Sequence, residues 1–218
     1  MSDEDAGSLA AESLSRDDPT GWFERLYEAA DQGRAQVPWD RDAPNRLLVE
    51  WAQERELRGG GRRAVVVGCG YGADAEFVAH LGFRTVAFDI APSAVSGARR
   101  RFPDSPVDYR TADLLDPPAD WEQAFDLVVE SITVQALPPA LHPEATAAVG
   151  RLVAPGGTLL VLSGKRAEDE RPAGPPWPLS RSEIEAFAGA GLESVQIEEV
   201  PHPREPSVPM WRAELARR

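Results

Sequence analysis

The stretch "VVVGCGYGAD" at residues 65–74 constrains the fold of this 218-residue chain more than any other. A run of β-branched valines favours a strand, and the alternate glycines that follow tolerate positive φ and leave the backbone open to a close neighbour. A helical pattern comes next, and a strand, a glycine turn and a helix in this order typically open a parallel α/β sheet. We therefore expect Gly68, Gly70 and Gly72 to form a tight turn against which a ligand lies.

The remainder of the chain continues the alternation of strands and helices. Apolar runs without regular polar alternation, separated by helical segments, are typical of a parallel sheet that is covered on both faces. These runs lie at 84–89, 106–113, 125–130 and 157–163, and the helical segments lie at 73–81, 92–102, 139–152 and 180–190. Two last runs, 192–200 and 207–215, have no helix between them, which predicts an antiparallel hairpin at the sheet edge. The predicted fold class is α/β and Rossmann-like.

Three regions precede or form this core. Residues 1–17 are small, polar and acidic, and we expect them to be a disordered tail. Residues 18–60 carry two amphipathic helical patterns, the first capped by Asp18, and predict a helical cover. Residues 61–218 form the core, and residues 18–218 together are expected to be one domain.

Composition excludes several kinds of partner. The 36 acidic residues outnumber the 23 basic ones and give a net charge of -13, which would repel nucleic acid and anionic membranes. No apolar run approaches the ~18 residues of a membrane span, and the lone Cys69 has no partner for an intramolecular disulfide. We expect a cytoplasmic monomer.

Two carboxylates stand where predicted strands end. Asp89 follows the glycine turn by about 20 residues, a position from which a carboxylate can accept both hydroxyls of a ribose. Asp113 ends the third strand and can bond the amine of an adenine. The glycine pattern fits both a dinucleotide site and a methyltransferase, but little chain is left for the second domain that a dehydrogenase usually has. A methyltransferase is therefore favoured, with an NAD(P)-dependent reductase as the alternative.

Four stretches resemble the class I S-adenosylmethionine-dependent methyltransferases, and within them the thiopurine S-methyltransferase-like group, which includes thiol and halide methyltransferases. They are "VPWDRDAP" at 37–44, "VVVGCGYGAD", "ALPP" at 136–139 and "GPPWPLS" at 174–180. The resemblance implies a seven-stranded sheet, S-adenosylmethionine as cofactor and S-adenosylhomocysteine as product. It implies that Trp39 covers the sulfonium end, that Gly68, Gly70 and Gly72 face the methionine and ribose, that Asp89 holds the ribose, and that Ile90, Asp113 and Leu114 contact the adenine.

The acceptor is less constrained. The resemblance implies methylation of sulfur or heteroaromatic nitrogen in a small molecule, with oxygen or halide as alternatives, and a non-catalytic S-adenosylmethionine-binding module as a further one. The chain has Asp42 where the group tends to have glycine, and Glu130 with Ser131 where an Asp-Arg pair often follows the fourth strand. The missing arginine disfavours thiopurine itself.

Methyl transfer needs positioning of the acceptor more than acid or base chemistry. If the acceptor must lose a proton, Glu130 is the best placed candidate for a catalytic base. We expect Trp22, Trp177, Trp211 and His142 to contact the substrate, since aromatic side chains exclude water. No cluster has metal-ligand spacing, so we expect no metal. Residues 166–178 are charged and then proline-rich, which suits a lid or a plain surface loop equally.

Overall fold

The computed structural model describes residues 5–189 and 191–218. The helices are α1 Ala6–Ser15, α2 Gly21–Asp31, α3 Arg46–Glu54, α4 Ala73–His80, α5 Pro92–Arg101, α6 His142–Arg151 and α7 Arg181–Glu185. The strands are β1 Arg63–Val67, β2 Arg84–Asp89, β3 Asp108–Thr111, β4 Phe125–Ser131, β5 Val153–Gly164, β6 Leu192–Pro201 and β7 Pro209–Arg217. No helix in the described ranges is long and apolar enough to cross a membrane.

The strands form one sheet in the order β3-β2-β1-β4-β5-β7-β6. Strands β1 to β5 pair in parallel, whereas β7 lies antiparallel between β5 and β6. This confirms the predicted Rossmann-like sheet with its antiparallel terminal hairpin. Strand β1 pairs with β2 on one side and β4 on the other, so the chain reverses its direction of winding there. In open α/β sheets, ligands bind beyond the carboxyl ends of the strands at such a point.

Helices cover both faces of the sheet. On one face α3, α4 and α5 pack through residues such as Leu48, Val78 and Val95. On the other face α6 and α7 pack through residues such as Val149 and Ile184. Burying these side chains is the main source of stability, at about 1.5–3 kcal/mol for each large apolar side chain.

A third apolar cluster places a helix over the edge of the sheet. It joins α1, α2 and the start of α5 through residues that include Leu9, Leu26 and Ala94. Glu24 on α2 also accepts hydrogen bonds from the backbone N–H and hydroxyl of Ser93, at 3.0 and 2.7 Å. As a result, α2 is fixed beside the carboxyl ends of β1 and β2.

The structure corrects two sequence-based expectations. The expectation that residues 1–17 form a disordered tail is wrong for residues 6–15, which form α1. Residues 1–4 lie outside the described part. Leu9, Ala10 and Ser13 are buried, and the Asp5 carboxylate accepts the N–H of Ser8. The apolar face of α1 consists largely of small residues, so the composition of the segment does not reveal it. The helix predicted at 180–190 is shorter, because α7 ends at Glu185, and Ala190 is not described.

Candidate active site

The glycine turn after β1 takes up positive φ at all three predicted positions, with values of 58° at Gly68, 52° at Gly70 and 91° at Gly72. Side chains of the protein itself occupy the space that a Cβ would need. A Cβ on Gly70 would lie 2.9 Å from the Tyr27 hydroxyl, and at Gly68 and Gly72 it would clash with Thr133 and Tyr109. The glycines are therefore required by close internal packing as well as by backbone conformation.

The carboxylate of Asp89 links this turn to the end of β2 through hydrogen bonds. One oxygen accepts the N–H of Gly70 at 2.9 Å, and the other accepts the N–H of Ala91 at 3.0 Å. Burial raises the pKa of Asp89 to about 6, against the opposing effect of these N–H groups, and the charge of Glu24 adds to the rise. Each carboxylate oxygen offers about two lone pairs, so both can still accept a bond from a ligand.

A cavity of about 370 Å³ opens in front of the turn. That volume falls within the roughly 300–1,000 Å³ typical of small-molecule sites. One side, here named the sheet wall, consists of Gly68, Gly70, Gly72, Asp89, Ile90, Asp113 and Leu114. The facing side, here named the aromatic wall, consists of Trp22, Phe23, Tyr27 and Trp39. All the predicted cofactor-contact residues thus lie together around one cavity.

The aromatic wall is a packed cluster of rings. Trp22 stacks on Phe23 with centroids 4.0 Å apart, and Trp39 meets Trp22 edge-on at 5.8 Å. The indole N–H of Trp39 donates to the Tyr27 hydroxyl at 2.7 Å. Because Tyr27 also adjoins Gly70, the two walls are in direct contact at this point.

The loop after β4 forms the floor between the walls and is held by Glu130. One oxygen of this fully buried carboxylate accepts the N–H groups of Thr133 and Val134, at 2.7 and 2.9 Å. Burial raises the pKa of Glu130 to about 7, against the effect of those N–H groups. The β-branched Ile132 sits at φ 68°, a strained conformation that such a framework can enforce.

Glu130 itself does not line the cavity; Ser131, Ile132 and Thr133 do. Its contacts hold the backbone that forms the wall, and its other oxygen has no hydrogen-bond partner in the described part of the chain. The role of base stays a prediction, for which this placement offers no direct contact with an acceptor.

Three predicted substrate contacts lie away from the cavity. Trp211 donates its indole N–H to the Leu179 carbonyl at 2.9 Å, and Trp177 is buried while the adjacent Pro175 and Pro176 line the cavity. The ring nitrogens of His142 lie 2.9 Å from the Leu137 carbonyl and 2.8 Å from the Glu183 carboxylate. These three side chains do not line the cavity, and their contact with a substrate stays a prediction.

Three charged lining residues had not been predicted: Asp40, Arg41 and Asp74. Asp74 accepts the N–H of Asn45 at 2.6 Å; burial raises its pKa, and the Asn45 N–H, Ser131 and Arg41 oppose that rise. Arg41 lines the same cavity and is half-buried. Asp74 lies in the stretch 65–74, and Asp40 and Arg41 lie in the stretch 37–44; both stretches carry the sequence motifs described above. Among the described residues there is no group of three His, Cys, Asp or Glu that could hold a metal.

The comparisons with known proteins agree with this architecture. A family model described as "Methyltransferase domain" matches residues 64–157. A probable thiol methyltransferase 2 of Arabidopsis thaliana is 30% identical over 205 residues, spanning 89% of this chain and 87% of the relative. The chain therefore belongs to the class I S-adenosylmethionine-dependent methyltransferases, which fixes the cofactor class. Its relatives within that class include thiol and thiocyanate methyltransferases of the thiopurine S-methyltransferase-like group.

Solved structures give the same fold. One comes from work titled "Conversion of a Disulfide Bond into a Thioacetal Group during Echinomycin Biosynthesis"; it is 26% identical, with a TM-score of 0.70 over 89% of this chain and 92% of the other. A second is the 1,6-didemethyltoxoflavin-N1-methyltransferase of Burkholderia thailandensis with bound S-adenosylhomocysteine. At 17% identity and a TM-score of 0.68, over 98% of this chain and 91% of that one, it supports the fold alone.

Proposed function

We propose that this methyltransferase transfers a methyl group to the sulfur of a small aromatic or aliphatic thiol. The observation that carries the proposal is the aromatic wall facing the sheet wall across one cavity, with no histidine among the lining residues, although all three histidines are described. Thiols ionise near pH 8.5, far more readily than alcohols, so a thiol acceptor does not require a base in the site. The similarity to a probable thiol methyltransferase supports the same acceptor.

The sheet wall is proposed to bind the cofactor. Asp89 has lone pairs left for the ribose hydroxyls, Ile90 and Leu114 offer apolar surface to the adenine, and Asp113 offers an acceptor to its amine. The carboxylate of Asp113 already accepts the N–H of Leu115 at 2.8 Å, which fixes its direction. These hydrogen-bond acceptors and the size of the cavity fit an adenosine derivative.

The aromatic wall is proposed to hold the acceptor and exclude water. When bound, S-adenosylmethionine would supply an electrophilic methyl carbon to a lone pair of the acceptor sulfur, and the electrons of the broken carbon–sulfur bond would stay on the sulfur of the cofactor. Trp39 and Phe23 would keep the acceptor sulfur dry and in line. The proton of a thiol is lost to solvent before transfer.

Mass-spectrometric detection of S-adenosylhomocysteine and a methylated product tests the proposal. Thiophenol, 2-mercaptoethanol, an azaheterocycle, a phenol and iodide are each incubated with the protein and S-adenosylmethionine. Thioether formation is expected to exceed the other products by at least about tenfold. Preferred methylation of the phenol, the azaheterocycle or iodide would replace sulfur as the acceptor. Binding of S-adenosylhomocysteine without turnover of any compound would favour a non-catalytic module.

A further inference from the structure

The basic side chains of this acidic protein are almost all engaged. The chain has 23 basic against 36 acidic residues, and its arginines pair with carboxylates, cap carbonyl groups or lie on aromatic rings. Arg41 and Arg204 are the exceptions, since neither guanidinium forms an ion pair, a hydrogen bond or a ring contact within the described ranges. The backbone N–H of Arg204 donates to the His202 ring at 3.3 Å. An unpaired guanidinium is unexpected where acidic groups are in such excess.

The carboxylates nearest to Arg41 in sequence are already bound elsewhere. Arg101 on α5 holds Asp40 at 2.8 Å and Asp42 at 2.5 Å. Arg41 lies between these two acids in sequence and lines the cavity, as does Asp40. The segment thus presents to the cavity one cation without an ion pair and one carboxylate that is already paired with Arg101.

The charges that face Arg41 leave it cationic. Partial burial lowers the pKa of Arg41, Asp74 raises it, and Arg204 in the turn between β6 and β7 lowers it further. Arginine remains protonated in proteins, so the guanidinium carries its charge at neutral pH. Asp74 attracts it from beyond ion-pair distance while accepting the N–H of Asn45. A half-buried charge without a partner is costly, and an anionic ligand would relieve that cost.

We propose that Arg41 binds a carboxylate of the acceptor, so that the substrate is a thiol carrying an anionic group apart from the reacting sulfur. The inference rests on the function proposed above and names the substrate class of the same site. A planar guanidinium matches a carboxylate through two parallel hydrogen bonds. Pairing with the reacting thiolate itself would be counterproductive, because that charge is lost in the transition state and the pair would stabilise the ground state more.

Calorimetric binding to the full-length protein saturated with S-adenosylhomocysteine tests this inference without turnover. The probes are 4-mercaptobenzoate and 4-mercaptobenzamide, which share one thiol and differ only in carboxylate against amide; thiocyanate serves as an inorganic anion. The carboxylate is expected to bind about tenfold more tightly than the amide. Arg41→Met should reduce this ratio to about one, and Arg41→Lys should restore part of it.

Arg46→Met is the matched control, because Arg46 is an exposed arginine of the neighbouring helix that pairs with Glu50, and it should leave the ratio unchanged. Equal binding of the two probes to the unaltered protein would overturn the inference, as would a ratio that survives Arg41→Met. So would a loss of thiocyanate binding in Arg41→Met without any preference for the carboxylate, because Arg41 would then face the reacting anion. Failure of the unaltered protein to bind S-adenosylhomocysteine would instead refute the proposed function.

Discussion

The sheet wall and the aromatic wall enclose one cavity, but they are built in different ways. The sheet wall comes from residues 68–114, where each contributing position is fixed at the end of a parallel strand or in the turn after it. The aromatic wall comes from α2 and the segment after it, which contact the sheet edge through α1 and α5. One wall depends on backbone pairing and the other on side-chain packing.

This difference separates the two demands of methyl transfer. Hydrogen-bonded strands hold a wall to a fixed geometry, which suits a cofactor that is the same in every turnover. A wall of packed rings on a separate helix can change by substitution without disturbing the sheet, which suits an acceptor that varies among relatives. The following experiments test whether the walls are separable in this way.

The largest effect is expected at Asp89. In Asp89→Asn the loss of the charged acceptor should weaken S-adenosylhomocysteine binding about 100-fold, since bonds to a charged group contribute about 1.5–3 kcal/mol each. Calorimetry measures the change. Asp126→Asn is the control, because Asp126 likewise accepts a backbone N–H, that of Arg63 at 2.8 Å, at the opposite end of β1. Equal losses in both variants would contradict a cofactor role for the sheet wall.

The pH dependence gives a second check on Asp89. Ribose hydroxyls donate to the carboxylate form, so affinity should fall about tenfold per pH unit as the pH drops below the Asp89 pKa of about 6. In Asp89→Asn the profile between pH 5 and about 7 should be flat.

A smaller loss is expected where the walls touch. Gly70→Ala adds a Cβ 2.9 Å from the Tyr27 hydroxyl at a positive φ, and should cost about 2 kcal/mol in free energy of unfolding and displace Trp39. Gly60→Ala provides the comparison, because Gly60 has φ 57° but no atom within 4 Å of an added Cβ. Chemical denaturation should therefore show a clearly smaller cost for Gly60→Ala; equal costs would mean that backbone strain alone explains the glycine turn.

Glu130 tests the floor between the walls. Its pKa of about 7 in the folded protein exceeds the ordinary 4.5, so protonation stabilises the fold; that contribution is complete below about pH 4.5 and is lost as pH rises through 7. Relative to Glu130→Gln, the unaltered protein should thus lose about 2 kcal/mol of unfolding free energy between pH 5 and 8. The difference between the two denaturation series cancels other titrating groups. A difference that stays constant with pH would contradict the assignment.

The smallest effect is expected within the aromatic wall. Tyr27→Phe removes the acceptor for the Trp39 indole N–H while keeping the ring, and should raise the KM for the thiol about fivefold, equivalent to ~1 kcal/mol. The affinity for S-adenosylhomocysteine should change less than about twofold. Trp51→Phe is the control, because it removes a hydrogen bond outside the cavity lining, from the indole N–H of the buried Trp51 to Glu214 at 3.0 Å, and KM should not change. A parallel loss of cofactor affinity in Tyr27→Phe would show that the walls are not separable.

The sequence allowed the sheet wall to be predicted because parallel pairing brings every strand end to one edge. Asp89 ends β2 as predicted, whereas β3 ends at Thr111, so the prediction that Asp113 ends the third strand is wrong by two residues. Asp113 still lines the cavity, because the turn after β3 lies at the same edge of the sheet. The role predicted for Glu130 stays a prediction. Glu130 lies one residue before the end of β4, and because successive side chains of a strand alternate in direction, Ser131 lines the cavity whereas Glu130 does not.

The aromatic wall was predicted only in part. Residue type does not distinguish a tryptophan of the core from one of a cavity, since both are buried; Trp22 lines the cavity, whereas Trp211 and Trp177 do not. Arg41 could not be singled out from the sequence, because its lack of an ion pair depends on Arg101, which is distant in sequence and pairs with the neighbouring Asp40 and Asp42. Such relations arise only when α2, α5 and the intervening segment are packed together.

The bonds from Asp89 to Gly70 and Ala91 also bear on how binding is timed. They are internal to the chain, so the turn becomes ordered as the protein folds, and its conformational entropy has already been lost when a nucleoside arrives. Preorganisation of this kind favours rapid capture, because no slow loop closure has to precede contact. Exchange of spent product for fresh methyl donor should then be governed by residence time, and hence by how quickly the nucleoside dissociates.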